Sequence, residues 1–361
     1  MSELRLPGRL GGAPARVTAL LAGVLLSAAC GAPAEPTQPL QTLRLMTHDS
    51  FSISDEVLAE FEQQHGVTVE ILRAGDGGSM VNQAILTRDA PLAHVLFGVD
   101  NTFLSRALES GIFTPYRSPA LADVPAELQL DPQYRVTPID YGDVCLNIDR
   151  SAFPAGDAPA TLEELADPRY EGMLVVQNPA TSTPGLAFLL ATVQRFGEEG
   201  GYTWRDYWAD LRANDVLVTA GWEDAYYGSF SGGAGEGDRP IVVSYATSPA
   251  AEVYFADPPP AEAPTAAVFD GCFRQVEFAG ILSGSHAGAV GQAFIDFMLS
   301  TTFQEDIPLN MFVFPANREA ELPEVFATHG EAAPEPITLD HERIGEERER
   351  WIEEWTDVVL R

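Results

Sequence analysis

Between residues 42 and 110, short apolar runs alternate with amphipathic segments, and this alternation constrains the fold more than any other feature. The runs predict strands at 42–47, 67–72 and 94–99, and the segments predict helices at 56–65, 80–88 and 103–110. Strands and helices alternating at this spacing form an α/β sheet with right-handed crossovers. Ligands bind such sheets at the carboxyl ends of the strands, where His48, Asp76 and Asp100 fall.

A second informative stretch, residues 175–190, predicts the end of a strand, a polar turn and the start of a helix. Ser182 or Thr183 can cap this helix, and Pro184 suits the first helical position because its missing N–H would have no partner there. The helix start offers short hydroxyl groups, free N–H groups such as that of Gly185, and the positive end of a dipole, which together suit an anion. From this stretch alone, a capped helix that binds nothing is the favoured interpretation.

The 361-residue chain is long enough for two lobes, and its charge is strongly one-sided. The formal net charge is −32, and all 21 basic residues are arginine. A negative field of this strength argues against nucleic acids and anionic lipid surfaces as partners. The negative charge can keep the protein soluble or attract a cationic ligand. We consider solubility the main reason for the charge.

Residues 1–30 predict a secretion signal. Three arginines precede an apolar run at 17–26 that is short for a membrane span, and small residues lead to Cys30. The pattern resembles a bacterial lipoprotein signal, in which this cysteine is lipidated. Ser27 stands where such signals usually have an apolar residue, so ordinary signal cleavage is the alternative. Residues 31–41, rich in Pro and Ala, predict a flexible tether.

Export affects how the other two cysteines are interpreted. Cys145 and Cys272 each lie in a strand-like run, and an oxidising compartment permits them to pair, although two buried free thiols are the alternative. Two cysteines are too few for a zinc site, and the sequence has no spacing typical of metal ligands. We therefore expect no metal site.

Eight short motifs follow one another in the chain: HDSF at 48–51, DGGS at 76–79, GVDN at 98–101, DYG at 140–142, PATSTPG at 179–185, GWEDAY at 221–226, SYATSP at 244–249 and QVE at 275–277. In order and spacing, from about residue 42 to 315, they resemble the solute-binding proteins of thiamine ABC importers. The resemblance implies a two-lobed α/β fold of the type II periplasmic-binding-protein class, with a ligand cleft between lobes joined by two hinge strands. It implies lobe 1 at 42–139 plus 274–320, lobe 2 at 140–273, and a C-terminal helical segment at 321–361 that packs on the lobes. Cys145 and Cys272 would lie on the neighbouring hinge strands, which favours a disulfide.

The resemblance also implies a ligand. Thiamine combines a cationic thiazolium, a flat aminopyrimidine and a hydroxyethyl tail that can carry phosphate. Trp222 and Tyr245 can supply aromatic faces for the cation, and Asp76 a charge or a hydrogen bond. The Ser182 and Thr183 hydroxyls and the Gly185 N–H suit a phosphorylated tail. The predicted ligand-binding residues are His48, Asp76, Asp100, Ser182, Thr183, Gly185, Trp222, Tyr226, Tyr245 and Phe312.

Three positions depart from the family pattern and leave the preferred phosphorylated form, and strict thiamine specificity, open. His48 stands where the family often has Tyr, Phe312 where it often has Trp, and Ala251 where it often has another aromatic residue. The smaller aromatic surface indicates weaker or altered contacts with the ligand. Beside a bound cation we expect His48 to be neutral and to stack or hydrogen-bond.

We therefore expect an exported, periplasmic and monomeric solute-binding protein that delivers thiamine or a thiamine phosphate to an ABC permease and its ATPase. One alternative is a protein of the same fold for another small cation, either a polyamine or ferric iron held by His48, Tyr226 and Tyr245. Another is a hydrolase with paired carboxylates, but the sequence shows no nucleophile elbow or catalytic triad order. A binding protein without cofactors or catalytic residues is the reading that we favour.

Overall fold

A computed structural model describes residues 41–154 and 156–361 of the chain. The predicted signal peptide, Cys30 and residues 31–40 of the predicted tether lie outside the described residues. Among the helices of the described part, none is long and apolar enough to cross a membrane.

The described residues form an α/β fold whose element order agrees with the predicted alternation. The strands are β1 (Thr42–Thr47), β2 (Thr68–Arg73), β3 (Val95–Asp100), β4 (Phe113–Thr114), β5 (Thr137–Asp149), β6 (Leu174–Gln177), β7 (Leu217–Thr219), β8 (Ile241–Tyr245), β9 (Thr265–Leu282) and β10 (Phe314–Pro315). The helices are α1 (Asp55–His65), α2 (Gly77–Leu86), α3 (Leu104–Glu109), α4 (Leu162–Leu165), α5 (Thr183–Phe196), α6 (Trp204–Ala213), α7 (Ser248–Phe255), α8 (Gly288–Met298), α9 (Thr301–Asn310), α10 (Glu324–His329) and α11 (His341–Val359). The prediction placed the start of α2 at residue 80, too late, because Asp76 caps this helix through the N–H of Gly77.

One sheet runs through the fold in the strand order β2-β1-β3-β9-β5-β8-β6-β7, with β10 paired to β5 and β4 paired to β9. Strands β1, β2 and β3 are parallel to one another, and so are β6, β7 and β8. The long strands β5 and β9 lie antiparallel in the middle of the sheet.

Strands β5 and β9 change neighbours along their length, and this divides the fold into two lobes. The end of β9, at 277–281, pairs with β3, whereas the end of β5, at 144–148, pairs with β8. We call β1–β3 with α1–α3 the first lobe and β6–β8 with α4–α7 the second lobe. This arrangement confirms the predicted two-lobed class, with β5 and β9 as the hinge strands.

The two cysteines outside the predicted signal segment face each other between the hinge strands. Cys145 of β5 and Cys272 of β9 are joined by a disulfide with an S–S distance of 1.98 Å. The pairing of β5 with β9 shifts register between Val144 and Leu146, so the bond lies at an irregular point of the strand pair.

Helix α5 forms the centre of the second lobe. All residues from Thr183 to Val193 are buried, as expected for a helix that is apolar on every side. The helix begins close to the end of β6, where a side chain at Gly185 would overlap the carbonyl group of Gln177. Glycine at this position therefore lets the start of α5 lie against the strand that precedes it.

Helix α11 contacts both lobes on the outside of the sheet. Trp351 and Trp355 of this helix are fully buried, and the Trp355 ring lies 5.5 Å from that of Trp208 in α6. At its other end, the carbonyl group of His341 accepts a hydrogen bond from Ser105 in α3. The C-terminal helix thus packs against the first and the second lobe together.

Candidate functional site

A cavity of about 700 Å³ lies between the lobes, at the ends of β1, β2 and β8. Its size is within the range of small-molecule sites. Seven of the ten predicted ligand-binding residues line it, namely His48, Asp76, Thr183, Trp222, Tyr226, Tyr245 and Phe312. Asp100, Ser182 and Gly185 are buried and do not line the cavity, so their placement does not support direct ligand contact.

The second lobe supplies an aromatic wall. The Trp222 ring stacks on Tyr226 with centroids 5.0 Å apart and an interplanar angle of 19°, and Tyr245 lies 6.4 Å from Trp222. Trp222 Nε1 donates a hydrogen bond to Ser244 Oγ at 2.9 Å, and the Tyr226 hydroxyl donates to Glu252 at 2.6 Å. These bonds fix the rings, which can therefore offer a preorganised flat surface to a ligand.

Asp76 connects the first lobe to the second. Its Oδ1 accepts hydrogen bonds from the N–H groups of Gly77 at 2.6 Å and Thr183 at 3.3 Å. Its Oδ2 accepts from Ser182 Oγ and from the Trp222 N–H, both at 2.9 Å. Burial raises the pKa of this carboxyl group, although the hydrogen bonds from Trp222, Gly77 and Ser182 act in the opposite direction.

These contacts correct the predicted start of α5. Ser182 precedes the helix but its hydroxyl makes no capping bond, because it donates to Asp76 instead. Thr183 is the first helical residue and Pro184 the second, one place later than predicted. The helix start that was predicted to hold an external anion is therefore occupied by a carboxylate of the chain itself.

Asp100 lies behind the cavity as a second connection between the lobes. Its carboxylate accepts a hydrogen bond from Thr183 Oγ1 at 2.5 Å and from the Thr102 N–H at 2.6 Å. Burial raises the pKa of Asp100 to about 6, against the effect of the hydrogen bonds from Thr102 and Thr183. Asp100 can position Thr183 at the cavity wall without reaching the cavity.

His48 faces a group of carboxylates on the hinge side of the cavity. His48 Nε2 lies 3.6 Å from Glu277 Oε1, and Glu277 of β9 is in register with Asp140 of β5. Burial lowers the pKa of His48, but Glu277, Asp76 and Asp49 outweigh it and raise the pKa above its ordinary value. These carboxylates favour the protonated imidazole, and the neutral form that we expect beside a bound cation stays a prediction.

The three positions that depart from the family pattern all line the cavity: His48, Ala251 and Phe312. Phe312 has a φ of 54°, which is uncommon for a bulky residue, and its carbonyl accepts a hydrogen bond from Thr247. Its ring lies 5.3 Å from that of Phe255, which is 70% exposed and also lines the cavity. Phe255 supplies aromatic surface beside Ala251.

Several cavity residues were not among the predicted set. The acidic and aromatic ones among them are Asp49, Phe51, Glu223, Asp224, Tyr227, Glu252, Phe255 and Glu277. Asp49, Glu223, Asp224 and Glu277 lie inside the motifs at 48–51, 221–226 and 275–277, so the signal was present in the sequence. Glu252 and Phe255 belong to α7 and lie beyond the motif at 244–249, where no helix was predicted. In the range 41–154 and 156–361, no group of three or more His, Cys, Asp or Glu side chains is placed to hold a metal ion.

The chain is similar to known proteins in sequence and in fold. The chain is 29% identical to the thiamine-binding periplasmic protein of Brucella suis biovar 1 (strain 1330), over 96% of this chain and 100% of that protein. It is also 29% identical to the thiamine-binding periplasmic protein of Escherichia coli (strain K12), over 88% of this chain and 94% of the relative. A solved structure, described as a periplasmic thiamin binding protein, superposes with a TM-score of 0.78 at 27% identity and covers 92% of this chain and 100% of its own.

The sequence also matches the family of bacterial extracellular solute-binding proteins over residues 90–331, more than half of its length. The chain belongs to the bacterial extracellular solute-binding protein family.

Proposed function

We propose that this protein binds thiamine, in free or phosphorylated form, between its lobes and delivers it to an ABC permease and its ATPase. The observation that carries the proposal is the aromatic wall of Trp222, Tyr226 and Tyr245 in a cavity lined by carboxylates. A flat organic cation combines the two properties that such a cavity recognises, an aromatic face and a positive charge. The similarity to thiamine-binding periplasmic proteins along nearly the whole chain supports the same ligand.

Within this proposal the predicted residues divide into two groups. Trp222, Tyr226 and Tyr245 contact the flat rings of the ligand, and Asp76 provides charge or accepts a hydrogen bond. Thr183, His48 and Phe312 complete the wall. Asp100, Ser182 and Gly185 act from behind it, because the first two hold Thr183 and Asp76 in place and Gly185 allows α5 to pack against β6.

We further propose that the lobes extend over 42–139 plus 274–320 and over 140–273, with 321–361 packed on both. The change of neighbours along β5 and β9 supports boundaries within these strands. The contacts of α11 with α3 and α6 support the role of the C-terminal segment.

Export and anchoring form a separate part of the proposal. We propose that residues 1–30 direct export to the periplasm, that Cys30 is lipidated, and that the mature protein is a monomer that binds its solute without catalysing a reaction. The sequence around Cys30 and the periplasmic relatives support export. Mass spectrometry of the mature N-terminus tests lipidation, and an unmodified terminus after ordinary cleavage would contradict it.

Isothermal titration calorimetry with thiamine, its monophosphate and its diphosphate tests the ligand. We expect at least one of the three to bind with a dissociation constant of about 1 μM or lower, about −8 kcal/mol. Spermidine and ferric citrate are titrated in the same way, because they represent the alternative ligands, a polyamine and ferric iron. If none of the three thiamine compounds gave heat and spermidine or ferric citrate bound, thiamine would be rejected as the ligand and the compound that bound would take its place.

The aromatic wall can be tested through Trp222. Replacement by Ala should weaken thiamine binding by at least about 1 kcal/mol, the scale of a desolvated cation–π contact. Trp222→Phe is the matched control, because it keeps an aromatic face and should retain most of the affinity. Of the five tryptophans in the chain, Trp222 is the one that lines the cavity, so thiamine should quench the fluorescence of the wild type but not of Trp222→Phe. Unchanged affinity in Trp222→Ala would show that Trp222 only stabilises the fold.

A further inference from the structure

We propose that Phe255 is a ligand-binding residue, whose ring contacts a flat ring of the bound cation where the cavity opens to solvent and slows its dissociation. This inference rests on the proposed function and adds to it a contact residue from outside the sequence motifs.

One face of helix α7 forms part of the cavity wall. Ser248, Ala251, Glu252 and Phe255 all line the cavity, and they occupy positions i, i+3, i+4 and i+7 of this helix. Residues with this spacing lie on the same side of an α-helix. Tyr254 precedes Phe255 in the chain but does not line the cavity, because it belongs to another side of the helix. Phe255 therefore continues a wall that begins at the start of α7.

Hydrogen bonds connect this face of α7 to the aromatic wall. Ser248 Oγ lies 2.8 Å from Ser244 Oγ, which also accepts the hydrogen bond from Trp222 Nε1. One turn further along, Glu252 accepts the hydrogen bond from the hydroxyl of Tyr226, whose ring stacks on Trp222. The end of α7 is thus preorganised relative to Trp222, as a ligand-binding surface has to be.

The ring of Phe255 is supported by aromatic neighbours but stays open to water. Its centroid lies 5.3 Å from that of Phe312 and 5.1 Å from that of Tyr254. Even so, the residue is 70% exposed. A single apolar residue on a protein surface needs no explanation, but Phe255 is part of a cavity wall and adjoins a second aromatic residue of that wall, Phe312. This combination indicates a surface that a ligand covers.

A flat cation fits the end of this helix face. Ala251, one turn before Phe255, has a small side chain that leaves room for a ring beside Phe255. Contact between two rings and removal of apolar surface from water both favour the complex. Glu252 adds a carboxylate on the same face, which attracts a positive charge. An aliphatic polyamine has no ring to place there, so contact with Phe255 favours a flat ligand over a linear one.

The first experiment compares wild type and Phe255→Ala by calorimetry and by stopped-flow Trp fluorescence. Both are titrated with thiamine, its monophosphate and its diphosphate, and the compound that binds the wild type most tightly is used afterwards. We expect the dissociation constant of Phe255→Ala to be at least about fivefold higher, mainly through faster dissociation. Because Phe255 is largely exposed, the thermal midpoint of the ligand-free variant should stay within about 2 °C of the wild type.

The outcomes separate the inference from the proposed function. If the wild type binds one of the three compounds and Phe255→Ala binds it equally well, the inference is overturned while the proposed function stands. If the wild type binds none of them, the proposed function is refuted and the inference with it.

Two further variants assign the effect to the ring of Phe255. Phe255→Tyr keeps the ring and should raise the dissociation constant less than about twofold. Tyr254→Ala is the matched control, because Tyr254 is 47% exposed and packs against Phe312 as Phe255 does, but does not line the cavity. It should also change the dissociation constant less than about twofold.

Either variant can overturn the inference. A loss in Tyr254→Ala as large as that in Phe255→Ala would show that both residues act only by supporting Phe312. A loss in Phe255→Tyr as large as that in Phe255→Ala would show that an aromatic ring at this position is not what the ligand contacts.

Discussion

Asp100 shows how a single buried carboxyl group links stability to pH. It is fully buried, and burial raises its pKa to about 6, which favours the protonated form in the folded chain. The folded state therefore binds a proton that the unfolded chain, with a pKa near 3.8, has already released. The stability contribution of this group is fully present below about pH 4 and is lost as the pH rises through about 6.

Asp100→Asn should remove this dependence. The free energy of unfolding of the variant, relative to the wild type, should increase between pH 4 and pH 7 by up to about 3 kcal/mol, the amount that corresponds to the raised pKa. Urea unfolding at several pH values measures it. Asp238→Asn, at a side chain that is 97% exposed, controls for loss of one charge. Parallel profiles for Asp100→Asn and the wild type would contradict the prediction.

The residues of the site differ in how far the sequence reveals them. Trp222 and Tyr245 lie in motifs whose composition already suits a flat cation, and the structure brings both to the cavity wall. The partners of Asp76 could not be predicted, because Ser182 lies 106 residues away and no local pattern records a contact between lobes. Ser182 was therefore predicted to bind an external anion, although its hydroxyl donates a hydrogen bond to Asp76.

At the scale of elements, the contact between the starts of α2 and α5 governs how closely the lobes approach. At Gly77, an added Cβ would overlap Thr183 Oγ1 in the second lobe but would remain 3.7 Å from Asp100 Oδ2 in the first. The overlap thus exists only where the lobes touch. A substitution here should therefore affect the contact between the lobes more than the folding of the first lobe.

Gly77→Ala should therefore weaken thiamine binding by about 1 to 3 kcal/mol, the usual cost of overpacking, with a smaller change in the thermal midpoint of the ligand-free protein. Calorimetry and a thermal melt measure the two effects. Gly201→Ala is the control, because a Cβ at Gly201 meets nothing within 4 Å. Normal affinity in Gly77→Ala would show that the two helix starts do not meet when the ligand is bound.

Elements with a regular local pattern were predictable, and those defined by distant neighbours were not. The alternation from β1 to α3 follows from apolar periodicity. Helix α7 was missed because it follows β8 with little separation, and its apolar residues have no clear helical periodicity. The π-helix Asp224–Ser229 carries Tyr226, whose ring stacks on Trp222, and no local pattern predicted this helix.

At the scale of the whole molecule, the net charge of −32 sets the response to salt. Like charges spread over one compact chain repel each other and destabilise the folded state, and salt screens the repulsion. The thermal midpoint should therefore rise by several degrees between about 0.01 M and 1 M NaCl, since the Debye length falls from about 30 to 3 Å. KCl should give the same increase as NaCl if screening is the cause. A constant or falling midpoint would show that the charges are already balanced locally.

The disulfide between Cys145 and Cys272 has a mechanical consequence. The two cysteines are 127 residues apart in sequence and close the second lobe into a covalent ring at the hinge. Tension applied between residue 41 and residue 361 would pass from β5 to β9 through the sulfur atoms. The backbone inside the ring would carry none of that load while the bond is intact. In a protein held to a surface by one end, the backbone of the second lobe would thus be bypassed by pulling forces that act along the chain of the first.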